Sequence, residues 1–258
     1  MAGSSDVPAL RRGLAILTEL GNRSGPVSAA TLARELGLPR STTYHLLSEL
    51  ADAGYVVRLP EERRYALGVA AFELGSAYLR HDPLERLAGP LLRALVDRVG
   101  RTAHLGVLHG GELLYLIKER PSRPETLVTD VGVRLPAHLT ASGRAMLAQL
   151  PAAQVRACFP TGFTRRTERG PSTLPELRRT LAAERRLGWA VEDGHVSPGF
   201  ASVACAVSGA YRWPTAAISV TFRHACEGPA ACGRTWPELA AEVRRTAAEL
   251  AERARGQR

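Results

Sequence analysis

Three residues, Gly37-Leu38-Pro39, separate two helical patterns, and this spacing constrains the chain more than any other feature. Before the turn, Ala30, Leu32, Ala33 and Leu36 form a short apolar stripe. Ser28 can cap it, its hydroxyl accepting from an amide that a helix start leaves unpaired. Gly37 can supply the left-handed backbone that ends it. Two helices joined by so short a glycine-containing turn cross steeply, which is the signature of a helix-turn-helix. The segment after the turn, Arg40 to Leu50, is polar for its first six residues and amphipathic only in its second half. A helix that serves only a core has no reason to begin that way. In a DNA reader the first turns of this helix enter the major groove, where Arg40, Ser41, Thr42, Thr43 and His45 can reach base edges and phosphates. The competing reading is a solvated helix start rich in capping residues.

The flanking segments favour the DNA reading. Leu10, Leu14, Leu17 and Leu20 fall on one helical face and predict a first helix ending near Gly21, after a flexible tail over residues 1–8. Beyond Gly54, Tyr55 to Arg58 and Arg64 to Leu67 read as two strands around a turn at Leu59 to Arg63. Three helices followed by a hairpin make a winged helix-turn-helix over residues 9–68. The wing carries Arg58, Arg63 and Arg64, suited to a phosphate backbone or a minor groove, with Glu61 and Glu62 partly offsetting them at its tip.

A further apolar-faced helix runs through Ala71, Leu74, Ala77 and Tyr78, and His81-Asp82-Pro83 interrupts it. Proline bars the residue before it from helical geometry, so a domain boundary is expected here, with residues 69–82 as a linker and 83–258 as a second domain. A long helix follows from Pro83 through Leu84, Leu87, Leu91, Leu95 and Val99. The period then changes. Thr102 to Leu108 and Glu112 to Lys118 predict a hairpin across His109-Gly110-Gly111, and further strands are expected at 126–131, 189–192, 202–207 and 215–222. Helices are expected near 143–149, 174–187 and 236–253. Mixed in this way, the elements predict an α+β domain with a central antiparallel sheet.

Composition narrows the function. The 34 basic against 25 acidic residues give a net charge of +9, compatible with nucleic acid, an anionic surface or an acidic ligand as partner. Residues 1–68 hold only +1 of it, so the case for DNA rests on where a few arginines sit rather than on bulk charge. The four cysteines, Cys158, Cys205, Cys226 and Cys232, do not make a disulfide scaffold, and no signal-like apolar segment follows the first residues. No run approaches the length of a membrane span, so a cytoplasmic protein is expected. No Gly-x-Ser-x-Gly elbow, phosphate loop or dinucleotide fingerprint is present, and neither catalysis nor a cofactor is expected. Cys226, Cys232 and His224 lack a second closely spaced pair, so incidental thiols are preferred to a metal site. The alternative kept open is a small-molecule sensor or enzyme-like domain whose winged helix mediates protein interaction.

Ala9 to Leu17, Leu32 to Thr42, Gly54 to Val56 and Arg64 to Gly68 resemble the start of the IclR family of bacterial transcriptional regulators. His138-Leu139-Thr140-Ala141-Ser142-Gly143-Arg144-Ala145-Met146-Leu147 and the stretches from Gly188 to Val207 and Ala216 to Val220 continue the likeness. The resemblance implies a linker helix, a GAF-like effector domain, and homodimers often paired into homotetramers on a pseudo-palindromic double-stranded operator. By position, it also implies a pocket for a small-molecule effector, such as a small organic acid, lined by Ala141, Ser142, Glu192, Ser202, Ser219 and Thr221. Hydroxyls and helix-start amides suit a carboxylate. The chain departs from the family pattern where Glu192, Gly194, His195, Ala201 and Ser202 stand in place of Asp, two acids, Arg and Cys. The Arg-rich loop Thr164 to Arg169 is a solvated face or an attractor for an anionic effector.

Overall fold

The computed structural model describes residues 7–23, 25–81, 83–208, 214–224 and 236–255, and the chain divides into two compact units, Met1–His81 and Asp82–Arg258. Cys226 and Cys232 lie outside the described residues, as do residues 1–6 of the expected tail.

In the first unit, helix α1 (Pro8–Gly21) already begins inside the expected tail. Pro8 suits a first helical position, because its fixed φ is helical and its missing N–H would have been unpaired there. Strand β1 (Val27–Ser28) leads into α2 (Ala29–Glu35), and α3 (Arg40–Asp52) follows the turn. Ser28 caps α2 as its position suggests, accepting from the Thr31 amide at 3.2 Å. Gly37 takes φ +62°, and the Leu38 amide reaches back to the Ala33 carbonyl at 2.8 Å, closing the turn. Strands β2 (Val56–Leu59) and β3 (Arg64–Leu67) form the hairpin, and β1 adds to it in the order β1-β3-β2. Helix α4 (Val69–His81) begins where Gly68 passes close to Gly54. A Cβ on Gly68 would sit 2.2 Å from the Gly54 carbonyl oxygen, so only glycine lets these backbones approach.

The core of this unit is Ile16, Leu20, Leu32, Leu47, Val56 and Tyr65. The expected stripe on α1 is displaced: Gly13, Ile16 and Leu20 turn inward, while Leu10 and Leu14 are 60% and 54% exposed.

In the second unit, α5 (Pro83–Val99) precedes β4 (Thr102–His109), β5 (Glu112–Glu119) and β6 (Arg134–Pro136). Helices α6 (Ala141–Leu147), α7 (Ala152–Ala157) and α8 (Leu174–Leu187) follow, then β7 (Ala190–Asp193), β8 (Phe200–Ser208), β9 (Pro214–Arg223) and α9 (Trp236–Arg255). The strands form one antiparallel sheet in the order β6-β5-β4-β9-β8-β7. Alternation along each strand separates its two faces. Ile218, Val220 and Phe222 of β9 join Leu92 and Leu95 of α5 and Val243 and Leu250 of α9 in the main core. Each such leucine contributes about 1.5–3 kcal/mol by leaving water. Ser219 and Thr221, between them, face the other way, as do Ser202 and Ala204 opposite them in register. That second face carries α6, through Ala141 and Ala145 against Ala190 and Ala204.

The strand expected at 126–131 does not form. Residues 120–133 run as an irregular strap, and the edge of the sheet is β6 instead. Prolines at 121 and 124 keep the approach to this stretch irregular, and its Leu127 and Val128 line a cavity rather than pair with a neighbouring strand.

Candidate functional site

The first candidate surface lies at the start of α3. Arg40, Ser41 and His45 are exposed and Thr42 is half-buried. Thr43 corrects the expectation: it is fully buried, and its hydroxyl donates to the Pro39 carbonyl at 3.1 Å. A threonine satisfied by the carbonyl four residues back can enter a core, so this side chain anchors the helix start and is turned away from any ligand. Tyr44, 55% exposed beside these polar groups, was absent from the expected set. Its signal was present in the sequence as an aromatic inside a polar helical turn. On the wing, Arg58, Arg63 and Arg64 are all exposed. Arg63 holds φ +52° at the tip, a conformation that a non-glycine residue adopts only in a tight turn.

The second candidate is a cavity of about 140 Å³ in the second unit. The structure brings Ala141, Ser142, Glu192, Ser202, Ser219 and Thr221 together around it. Sequence reasoning missed the remainder of its wall: Tyr115 on β5, Thr126 to Thr129 of the strap, Thr140, Val196 and Ser197 after β7, and Phe200 on β8.

Several polar groups of the cavity already hold hydrogen-bond partners. Ser202 and Thr221 share a hydroxyl contact of 3.0 Å. Thr140 caps α6, accepting from the Gly143 amide at 3.0 Å. Glu192 is 3% exposed, and its Oε1 accepts from the His195 and Val196 amides, each at 3.0 Å. Burial pushes its carboxyl above the usual range, while the Val196 amide, Arg144 and Ser202 pull the other way. Burial likewise pushes the Tyr115 phenol up, with Glu192 adding to the shift. The same carboxylate therefore shapes the loop after β7 and faces the cavity.

Two clusters hold the walls. Fully buried Arg144 donates to both oxygens of Glu184 at 3.0 and 3.2 Å, to the His138, Leu139 and Val191 carbonyls, and to His195 Nδ1 at 3.2 Å. An imidazole nitrogen that accepts from a guanidinium is unprotonated, and burial together with Arg144 brings His195 down to about 4. On the strap side, buried His104 meets the Thr129 hydroxyl at 2.9 Å, Lys118 donates to the Thr129 carbonyl, and Arg120 pairs with Asp130 at 3.2 Å. Burial, then the Lys118 charge, lowers His104 to about 3. The Arg-rich loop lies outside the cavity wall: Arg165 bonds Ser172, Arg166 the Val196 carbonyl and Arg169 Asp193. Among the described residues, no three His, Cys, Asp or Glu side chains gather as a metal site, and no helix is long and apolar enough to cross a membrane.

Comparison with known proteins covers both units. Residues 9–60 match the model of the IclR helix-turn-helix domain, and residues 76–252 match that of the bacterial transcriptional regulator IclR C-terminal domain. The HTH-type transcriptional repressor AllR of Klebsiella pneumoniae is 31% identical over 214 residues, 83% of this chain and 79% of the relative. The transcriptional repressor IclR of Escherichia coli K12 is 30% identical over 221 residues, covering 84% and 81%. Among solved structures, an IclR transcriptional regulator from Silicibacter superposes with a TM-score of 0.82 at 27% identity, over 95% of this chain and 96% of the other. An IclR homologue from Microbacterium hydrocarbonoxydans, solved with 4-hydroxybenzoate, shares the fold at a TM-score of 0.79 and 23% identity, over 96% and 99%.

Proposed function

The chain belongs to the IclR family of bacterial transcriptional regulators, and from that premise we propose that it is a cytoplasmic, non-enzymatic repressor whose operator affinity is set by a small organic acid in the second-unit cavity. The observation that carries this reading is the convergence of six residues from four separated elements, α6, β7, β8 and β9, on one cavity lined with hydroxyls. Arg40, Ser41, Thr42 and His45, joined by Tyr44, read the major groove, and Arg58, Arg63 and Arg64 hold the backbone or minor groove.

One such unit spans too few base pairs for strong selectivity, so two copies act on a pseudo-palindromic site. Exposed apolar side chains support the pairing: Leu10 and Leu14 on α1, and Val69, Phe72 and Leu74 on α4, where Phe72 is 74% exposed. The effector acts by binding one arrangement of the dimer more tightly than another. The test is selection of bound sequences from random duplex DNA, followed by sedimentation of the complex. Enrichment of an inverted repeat occupied by a dimer, with affinity falling steeply as salt rises, is the expected result. Retention without sequence enrichment would contradict it.

A further inference from the structure

Of the fifteen residues around the cavity, one carries an acid, Glu192, and none is Lys, Arg or His. The neighbouring cations are already committed. Arg144 of α6 is matched by Glu184 of α8 and spends its other donors on three carbonyls and His195. His195, in the loop after β7, is neutral and accepts from that guanidinium. On the strap side, Lys118 of β5 and Arg120 share the one carboxylate of Asp130, Lys118 is held on the Thr129 carbonyl, and neither cation lines the cavity. Tyr115 of β5 and the Ser202 hydroxyl of β8 complete the groups facing Glu192, and neither brings positive charge.

A carboxylate entering this space therefore meets a buried carboxylate and no cation in the cavity wall, and Arg144, whose charge reaches Glu192 from behind α6, is already held by Glu184. Two such groups placed side by side with no cation in the wall hold one proton between them, because both charges together cost more than taking a proton from solvent. Resting on the reading of the cavity as a small-acid site, we infer that an organic acid binds this protein with uptake of one proton, shared between the ligand carboxylate and Glu192. The balance is simple: ligand carboxylate, Glu192 carboxylate and one solvent proton give one hydrogen-bonded acid–carboxylate pair with a single negative charge. A ligand that offers a neutral amide donor at the same place needs no proton. The site thus reads acidity as well as concentration, and its acid ligand binds more tightly as pH falls.

The test uses the full-length protein with acetate, lactate, benzoate and 4-hydroxybenzoate, each beside its primary amide, by calorimetry in two buffers of different ionisation enthalpy at pH 7.0–8.5. For an acid that binds, the expected result is uptake of about one proton per site and an association constant falling up to about tenfold per pH unit, while the matching amide shows neither. Glu192→Gln binds the acid without proton uptake and with a flat pH profile, and Glu192→Asp restores the uptake. Acid binding by the wild-type protein without proton uptake anywhere in this range overturns the inference and leaves the effector reading standing. That measurement needs no variant, so it decides even where Glu192→Gln fails to fold. If no acid of the panel binds at any pH, the effector reading fails, and this inference with it.

Discussion

Replacing Arg144 by Met is the sharpest test of how the cavity wall is held. The side chain has no exposed surface and its guanidinium serves two carboxylate oxygens, three carbonyls and a ring nitrogen. Methionine keeps much of the length and apolar volume but none of the donors. Removing one partner of a buried ion pair costs about 3–5 kcal/mol, chiefly because the other charge, here Glu184, stays buried without compensation. Carbonyls left dry add about 1–3 kcal/mol each where water cannot reach them. Against a typical domain stability of about 5–15 kcal/mol, the loss is a large share. All three tryptophans, Trp189, Trp213 and Trp236, belong to the second unit, so intrinsic fluorescence in urea follows that unit alone. With a urea slope of about 2–3 kcal/mol per molar, the midpoint of Arg144→Met should fall by about 1–2 M. The double variant Arg144→Met with Glu184→Leu should recover a good part of this, since replacing both charges by apolar groups removes the uncompensated one. A single-variant loss below about 1 kcal/mol, or a double variant no more stable than the single, would refute the reasoning.

Three further outcomes are expected. Arg40→Ala should weaken operator binding, and where Arg40 reads a guanine it should relax selectivity at that base by about 1–3 kcal/mol, measured by competition among single-base operator variants. Stability of the second unit should decline as pH falls below 6.5, because the unfolded chain protonates His104 and His195 there while the folded protein resists until about 3 and about 4. Each histidine adds up to about 1.4 kcal/mol per pH unit to that slope, and His104→Gln should flatten it in urea titrations between pH 6.5 and 5. Leu14→Glu combined with Phe72→Glu should shift the protein toward monomer in analytical ultracentrifugation and reduce operator affinity without lowering the urea midpoint, since both side chains are exposed within the unit.

The winged helix was legible because its signals are local: a cap at Ser28, a left-handed Gly37, a polar helix start at Arg40 and a short hairpin. Its errors were errors of facing. Leu10 and Leu14 satisfy the helical period as well as Ile16 does, and only tertiary packing decides that Ile16 turns inward. Thr43 is polar in sequence yet core in structure, because one hydrogen bond to Pro39 satisfies its hydroxyl. Residues 126–131 have the composition of a strand, but they act as the cavity's strap, latched by Lys118 and His104. The six cavity residues could be picked out only through the family pattern, since they come from elements up to eighty positions apart. Arg144 stood in that pattern as one more polar residue of a short helix, and nothing local marked it as the hub of the wall.

Effector control of an operator requires an energetic link between the cavity and the DNA-binding face, and such a link is reciprocal. The direct measurement is operator affinity with and without a saturating cavity-bound acid, together with the affinity of that acid for the free and the operator-bound protein. Both affinities are expected to change by the same factor, on the order of 5–150-fold for a coupling of typical size. An acid that occupies the cavity equally well in free and operator-bound protein, and leaves operator affinity unchanged, would contradict it.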